Sequence, residues 1–205
     1  MGRDDVEIVS TESCHSGFFR LERVHLRHRR FDGDWSQVFQ RELLRTPGAV
    51  AALPYDPHAD AVVLVEQFRL GAHLAGHQPW LIEVIGGMLD HDEPPEAVAR
   101  RESMEEAGLE VTAVEPIMHY FPTPGTTSEV VHMFCVRVDS TGAGGIHGLA
   151  SEHEDIRVAV MSVDGALALL AEGRIVNAHT VIALQWLALN RDRLRAAWLR
   201  DGLAA

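Results

Sequence analysis

The sequence predicts an α+β fold, an α/β/α sandwich in which a mixed β-sheet lies between helices, preceded by a small N-terminal antiparallel β element. Two observations lead to this class. Short apolar segments recur on both sides of a charged helical segment, residues 94–107, and a second helical pattern ends the chain. Helices that alternate with strands in this way can cover both faces of one sheet. With 205 residues, 46% of them hydrophobic, the chain is long enough for such a core and a small appendage.

Residues 1–47 form the predicted N-terminal β element. Segments 23–28 and 35–44 alternate apolar and polar side chains, and Asp32-Gly33-Asp34 between them is a turn signal. We therefore expect an antiparallel hairpin or meander here. Residues 48–205 form the predicted main domain.

The main domain is expected to begin with two buried strands, 49–53 and 61–67, because both are strongly apolar. The segment Pro54-Tyr55-Asp56-Pro57-His58 between them has the composition of a turn. Further strands are predicted at 117–121, 130–138 and 156–161, with the glycine-rich and mobile segment 142–145 before the last of these.

Three helices are predicted from their boundary residues. Pro94 marks the start of the first helix and Gly108 its end, Gly173 closes the second, and Asn177 caps the third. The predicted helices span residues 94–107, 163–172 and 178 to about 199.

Composition excludes several classes of function. The formal charge is -12 and lysine is absent, which argues against nucleic-acid binding and against chemistry that needs an amine. Cys14 and Cys135 stand far apart, so neither a disulfide framework nor a zinc site is expected. No apolar run approaches the roughly 20 residues that span a bilayer, and no secretory signal begins the chain, so we expect no membrane contact and a cytoplasmic protein.

Three carboxylates of the first predicted helix share one face. Glu102, Glu105 and Glu106 are three and four residues apart, within an arc of about 100°. Like charges at this spacing destabilise an isolated helix, and hard oxygen ligands on one face suit Mg²⁺ or Mn²⁺. A solvated acidic face is the commoner explanation for such a group taken alone.

The surrounding pattern favours the metal site, because it resembles the Nudix box. That motif has glycine, five residues, glutamate, seven residues, Arg-Glu, an apolar residue, any residue, Glu-Glu, any residue, glycine and an apolar residue. The matching positions here are Gly87, Glu93, Arg101, Glu102, Glu105, Glu106, Gly108 and Leu109. One position departs from the motif: Ser103 stands where an apolar residue is usual, and we expect this small residue to be tolerated against the sheet.

The resemblance implies a Nudix fold and a role for each box residue. Glu102 and Glu106 would be the primary metal ligands, with Glu105 as a supporting ligand and the carbonyl oxygen of Gly86 as another. Glu93 and Arg101 would pair and orient the site.

Over most of its length the chain resembles the bacterial ADP-ribose pyrophosphatases of this family. The matching segments are 17–21, 65–69, 80–83, 124–129 and 145–149. The resemblance implies a metal-dependent enzyme that hydrolyses ADP-ribose to AMP and ribose 5-phosphate. Two alternatives stay open: a pyrophosphatase for another nucleoside diphosphate sugar, such as GDP-mannose or ADP-glucose, and a non-enzymatic ADP-ribose sensor.

The segment from Glu152 to Ile156 follows the glycine-rich loop and carries two carboxylates that a mobile loop could bring over a pyrophosphate. By the same resemblance, Glu152 is the expected general base and Glu154 a further metal ligand. His153 lies between them and competes as the base, since its ordinary pKa is near 6.5.

Candidate substrate contacts lie outside the box. Arg41 and Arg69 suit phosphates or adenine, because a guanidinium group can pair with the first and stack on the second. Phe18 or Phe19 suits base stacking, although a core aromatic is the commoner role. Glu83 and Glu129 are candidates to accept hydrogen bonds from the adenine amine or ribose hydroxyls. The resemblance also implies a homodimer in which residues 1–47 exchange between subunits.

Overall fold

The computed structural model describes residues 1–89 and 93–201, without the side chains of Glu152 and Asp201, and the chain divides into two compact units. The smaller unit contains Met1–Gly48 and the loop Phe121–Val130, and the larger unit contains Ala49–Tyr120 and the chain from Val131 onward.

The smaller unit is built on a three-stranded antiparallel sheet. Its strands are β1 (Val6–Ser16), β2 (Arg20–His28) and β3 (Phe39–Arg45), with β2 in the centre. All eleven residues of β1 are exposed, and this strand was not predicted from the sequence. The predicted strand 35–44 starts late, because Trp35 forms only an isolated bridge with Arg29 before regular pairing resumes. The loop Phe121–Val130 is hydrogen-bonded to β3, because the Leu44 amide donates to the Thr126 carbonyl at 2.8 Å.

The larger unit contains a mixed sheet of eight strands. They are β4 (Ala49–Asp56), β5 (Ala61–Phe68), β6 (Trp80–Glu83), β7 (Ile85–Met88), β8 (Ala113–Tyr120), β9 (Val131–Arg137), β10 (Gly145–His147) and β11 (Ile156–Ser162). Their order is β10-β11-β5-β4-β9-β8, with β6 paired to β5 and β7 to β4. Strands β4 and β9 are parallel, and the other pairs are antiparallel.

Helices cover both faces of this sheet. They are α1 (Leu70–Leu74), α2 (Pro95–Ala107), α3 (Val163–Ala171) and α4 (Ala178–Asp201). Alternation along β4 places Val50 and Ala52 in the core beneath α2, and Leu53 and Tyr55 in the core beneath α3 and α4. The predicted α/β/α sandwich is confirmed.

Helix boundaries follow the predicted signals closely. Gly108 ends α2 with φ 65°, a left-handed conformation that glycine adopts without strain, and its amide donates to the Met104 carbonyl at 2.9 Å. Asn177 caps α4, since its Oδ1 accepts a hydrogen bond from the Thr180 amide at 3.2 Å. Within the described ranges, no helix has both the length and the hydropathy needed to cross a bilayer.

The turn predicted at residues 54–58 is wrong at its start, because Pro54, Tyr55 and Asp56 belong to a strand and only Pro57 and His58 lie in the turn. Strand β4 continues to Asp56, and the reversal occurs over Pro57 to Asp60. Tyr55 is fully buried, and its hydroxyl donates to the Asp60 carboxylate at 2.8 Å, so side-chain burial overrides the local turn composition. Strands β6 and β7 were also missed, because each is only four residues long.

Candidate active site

Two carboxylates of α2 lie against the glycine pair of β7. The Gly86 amide donates to Oε2 of Glu106 at 3.2 Å. Glu102 occupies the space beside Gly87, where an added Cβ atom would lie 2.0 Å from its Oε1. The absence of a side chain at Gly87 therefore lets the Glu102 carboxylate approach the backbone of β7 closely, and the Gly86 amide holds Glu106 by its hydrogen bond.

Both carboxylates have raised pKa values, mainly because they are buried. Burial raises the pKa of Glu106 to about 8, and the charges of Glu102 and Glu154 add to this effect. Burial likewise raises the pKa of Glu102 to about 7, with Arg101 opposing the shift and Glu105 adding to it. Buried carboxylates are costly to ionise without a compensating cation, so this oxygen-rich pair fits a divalent metal ion.

Arg101 connects the carboxylates that flank this pair. Its Nε donates to Glu93 at 3.2 Å, and its Nη1 donates to Glu102 at 3.0 Å and to Glu105 at 2.8 Å. Burial lowers the pKa of Arg101, but these carboxylates outweigh it and the net shift is upward. One guanidinium therefore sets the orientation of three glutamates.

The loop before β11 carries the remaining acidic candidates. Oε2 of Glu154 accepts a hydrogen bond from the Leu149 amide at 3.1 Å. A Cβ atom added to Gly148 would lie 2.7 Å from the Cβ atom of Glu154. Glu152 ends a short 3₁₀ turn, Ala150–Glu152, but its side chain lies outside the described part of the chain. His153 is exposed and adopts a left-handed backbone with φ 57°.

No three His, Cys, Asp or Glu groups converge closely enough to hold a metal ion among the described side chains, which exclude residues 90–92 and the Glu152 side chain. Protein donors occupy the carboxylates instead: Arg101 contacts Glu102 and Glu105, and backbone amides contact Glu106 and Glu154. Glu102, Glu106 and Glu154 are nevertheless close enough for their charges to interact.

A second cluster of polar side chains contains Arg69 and Glu83. Nε and Nη2 of Arg69 donate to Oε2 of Glu83 at 2.9 and 2.6 Å, and Nδ2 of Asn177 donates to the other oxygen at 2.9 Å. Protein donors thus occupy both oxygens of Glu83, which favours a supporting role over the substrate contact expected from the sequence. Asn177 was predicted from the sequence only as a helix cap, and no local signal links it to Glu83.

His179, which was not among the residues predicted from the sequence, lies beside this cluster. Its Nδ1 is hydrogen-bonded to the hydroxyl of Tyr120. Burial lowers the pKa of His179, and the charge of Arg69 acts in the same direction against that of Glu83. A neutral ring therefore packs near the start of α4 at neutral pH.

Three candidate substrate residues belong to the smaller unit. Phe18 is 84% exposed and packs edge-on against Phe19, with the ring centroids 4.8 Å apart. The guanidinium of Arg41 lies 4.6 Å from the ring centroid of Phe39. Glu129 is half-buried, and burial raises its pKa. The box residues, Glu154, Arg69 and Glu83 thus belong to the larger unit. Phe18, Arg41 and Glu129 belong to the smaller unit.

Comparison with known proteins gives the family. The model of the NUDIX domain matches residues 45–184. The chain belongs to the NUDIX family. It is similar to the ADP-ribose pyrophosphatase of Escherichia coli strain K12, with 46% identity over 197 residues that cover 96% of this chain and 94% of that protein. The ADP-ribose pyrophosphatase of Haemophilus influenzae is 45% identical over 202 residues, covering 97% and 93%.

More distant relatives include other members of the NUDIX family. The GDP-mannose pyrophosphatase of Klebsiella pneumoniae is 33% identical over 188 residues, which cover 89% of this chain and 91% of that protein. A crystal structure of an ADP compounds hydrolase superposes with a TM-score of 0.69 at 18% identity, covering 93% and 97% of the two chains. At that identity the superposition supports the fold alone.

The NUDIX box accommodates its unusual serine without a buried polar defect. Ser103 is fully buried, and its hydroxyl donates to the Ala99 carbonyl one turn earlier in α2 at 2.7 Å. The hydrogen bond satisfies the hydroxyl within the helix, so the residue packs like a small apolar side chain.

Proposed function

We propose that this chain hydrolyses the pyrophosphate bond of ADP-ribose to AMP and ribose 5-phosphate with a divalent metal ion. The observation that carries the proposal is the buried pair Glu102 and Glu106, held against the glycines of β7 with Glu154 nearby. The pair provides oxygen ligands for metal-assisted hydrolysis. The two ADP-ribose pyrophosphatases at 45% and 46% identity favour ADP-ribose as the substrate.

The metal is Mg²⁺ or Mn²⁺ in this proposal, because the proposed ligands are hard oxygen donors. Glu102 and Glu106 are the proposed primary ligands, and the further donors are Glu105, Glu154 and the carbonyl oxygen of Gly86. When bound, the ion supplies charge neutralisation at the pyrophosphate and a more acidic water nucleophile.

The remaining residues bind, orient or accept a proton. Arg101 orients Glu102 and Glu105, and Glu93 in turn holds Arg101. Arg69 offers a half-exposed guanidinium to phosphate or adenine. Glu152 is the proposed general base, and His153 is its competitor. Phe18, Arg41 and Glu129 are proposed contacts to the adenosine part.

GDP-mannose or another nucleoside diphosphate sugar, such as ADP-glucose, is the second candidate substrate. The observation in its favour is the relative at 33% identity, well below the values for the ADP-ribose pyrophosphatases. The sensor alternative is weaker, because every box glutamate is present and a site without turnover has no need of them.

Steady-state hydrolysis of a substrate panel tests the proposal. The panel contains ADP-ribose, ADP-glucose, GDP-mannose, diadenosine polyphosphates and ATP, each with Mg²⁺, with Mn²⁺ and with chelator. We expect the highest kcat/KM for ADP-ribose, AMP and ribose 5-phosphate as products, and no turnover in chelator. Binding of ADP-ribose without cleavage would instead favour a sensor.

A homodimer is also part of the proposal, with the strands of residues 1–47 exchanged between subunits. Strand β1 supports it, because β1 lies at the edge of its sheet and exposes eleven consecutive residues, including Val6, Ile8 and Val9. A long exposed edge strand with apolar side chains is a surface suited to pairing with another chain.

A further inference from the structure

We propose that Asn177 is a positioning residue for the substrate, acting through the buried carboxylate of Glu83 to hold the guanidinium of Arg69 in place. The inference rests on the proposed function, in which Arg69 contacts the phosphates or the adenine of ADP-ribose. It adds to that function a residue on a different element, at the start of α4.

The geometry is a chain of three side chains. Asn177 donates to Oε1 of Glu83 at 2.9 Å, and Arg69 donates twice to Oε2, at 2.9 and 2.6 Å. Glu83 is 3% exposed, whereas the Arg69 side chain is 46% exposed. The carboxylate is therefore the buried link, and the guanidinium is the end that reaches solvent.

Arg69 keeps one donor group for a ligand. Its Nε and Nη2 are both used on Glu83, while Nη1 has no protein acceptor in the described part of the chain. A fixed guanidinium loses less conformational entropy when it binds an anion than a free arginine side chain does.

Asn177 does more than cap α4. Its Oδ1 accepts from the amide of Thr180 at 3.2 Å and from the hydroxyl of Thr180 at 3.3 Å, and that hydroxyl accepts from the Val84 amide at 3.0 Å. Its Nδ2 is the donor to Glu83. Serine and aspartate cap helices as well as asparagine does, but serine is too short to reach Glu83 and aspartate has no donor.

This difference separates positioning from capping in an experiment. Asn177→Ser keeps a capping oxygen and removes the hydrogen bond to Glu83, and Asn177→Asp does the same while placing a second carboxylate beside Glu83. Ser162→Ala is the matched control, because Ser162 caps α3 through the Gly165 amide at 3.1 Å and its removal costs helix stability away from Arg69.

We expect Asn177→Ser to raise the KM for ADP-ribose about tenfold with kcat within about threefold of the unmutated chain, because a hydrogen bond to a charged group is lost from a binding contact. Ser162→Ala should leave KM unchanged. In an Arg69→Ala background, Asn177→Ser should add no further rise. A KM within twofold of the original, or an equal rise in the Arg69→Ala background, overturns the proposal. If Asn177→Ser does not fold, the same KM measurements are made on Asn177→Asp.

Calorimetric titration of ADP-ribose in chelator separates this inference from the proposed function. An unmutated chain that fails to cleave ADP-ribose with metal present refutes the function. Equal dissociation constants for the unmutated chain and Asn177→Ser refute the positioning role, and a weaker constant for the variant supports it whatever the turnover.

Discussion

Burial separates the box glutamates into different chemical environments. The sequence places Glu102, Glu105 and Glu106 on one helix face, but only the packing of α2 against the Gly86-Gly87 pair buries Glu106 almost completely and leaves Glu105 half-exposed beside Arg101. The pKa of Glu106, raised to about 8, is a consequence of that packing. The residues could be predicted from their spacing, whereas their protonation could not.

Glu106→Gln tests whether the carboxylate of Glu106 is needed for turnover. Glutamine has nearly the same shape and can still accept the Gly86 amide, so we expect the thermal unfolding temperature to be retained. Loss of a charged ligand should lower kcat at least about hundredfold. Steady-state rates and circular-dichroism melts measure both quantities, and near-normal turnover would remove the box from the mechanism.

Glu152→Gln tests the general base. Replacing a positioned base should lower kcat by about 10²–10⁴-fold with a smaller change in KM. His153→Asn is the matched variant, because asparagine tolerates the left-handed backbone found there, φ 57°, and it should leave kcat close to the original value. The opposite pattern, with kcat unchanged in Glu152→Gln and low in His153→Asn, would make His153 the base.

Gly87→Ala tests the close approach of the Glu102 carboxylate to Gly87. The added methyl group would lie 2.0 Å from Oε1 of Glu102, so the carboxylate must move away. We expect the Mg²⁺ concentration for half-maximal activity to rise about tenfold or more. Gly86→Ala should have a much smaller effect, since its Cβ would meet only the Val50 carbonyl at 3.5 Å. Equal behaviour of the two variants would argue against a metal role for Glu102.

At the scale of elements, the reversal between β4 and β5 is fixed by contacts with α4. Oδ2 of Asp60 accepts from Arg191 at 2.6 Å and from Arg195 at 3.4 Å, and Asp60 has a left-handed backbone with φ 54°. The hydrogen bond from Arg191 lowers the pKa of Asp60, although burial opposes it. Contacts across 131 residues of sequence thus decide where the turn lies.

Asp60→Asn tests this connection and its pH dependence. Asparagine suits the left-handed backbone, so the variant mainly removes charge. Because the folded pKa is lowered, the contribution is complete above the ordinary value of 3.8 and is lost as pH falls through the folded pKa. We expect the free energy of unfolding to fall by about 2 kcal/mol at pH 7, and the difference to shrink as the pH falls below 3.8.

Urea unfolding at several pH values measures this effect. Asp164→Asn is the control, because Asp164 also contacts Arg191 but its side chain is 78% exposed, and exposed ion pairs contribute about 0–1 kcal/mol. A difference between Asp60→Asn and the original chain that does not change with pH would show that charge is not the cause.

Local pattern located the helices better than the short strands, although the eleven-residue strand β1 was also not predicted. The last turn of α2 could be predicted from Gly108 and the start of α4 from Asn177, because capping depends on neighbouring residues alone. Strands β6 and β7 and the end of β4 could not, since short strands exist only through their partners in the sheet.

At the scale of the whole molecule, the fold brings the box glutamates of α2 against β7, and the charges of Glu102 and Glu106 interact with that of Glu154 in the loop before β11. The parallel pairing of β4 with β9 and the antiparallel pairing of β4 with β7 hold the glycine pair beside Val50 and Ala51 of β4. The smaller unit contributes no box residue.

Sedimentation equilibrium tests the proposed homodimer. We expect a molecular mass of two chains, each of 22.6 kDa, throughout the micromolar range. Ile8→Glu should shift the equilibrium toward monomer, because it places a charge on the exposed edge strand. A monomer at micromolar concentration in the unmutated chain would rule out a shared pocket.

The sequence by itself determined the family, the chemistry of the box and the layered fold, because these depend on residue spacing along one helix and on apolar periodicity. Only the tertiary structure decided which carboxylates are buried, where β4 ends, and that Asn177, Glu83 and Arg69 form one hydrogen-bonded group. Their hydrogen bonds join residues 14 and 94 positions apart. Pairings of that range leave no periodic trace in a sequence, because they depend on how the sheet and α4 pack.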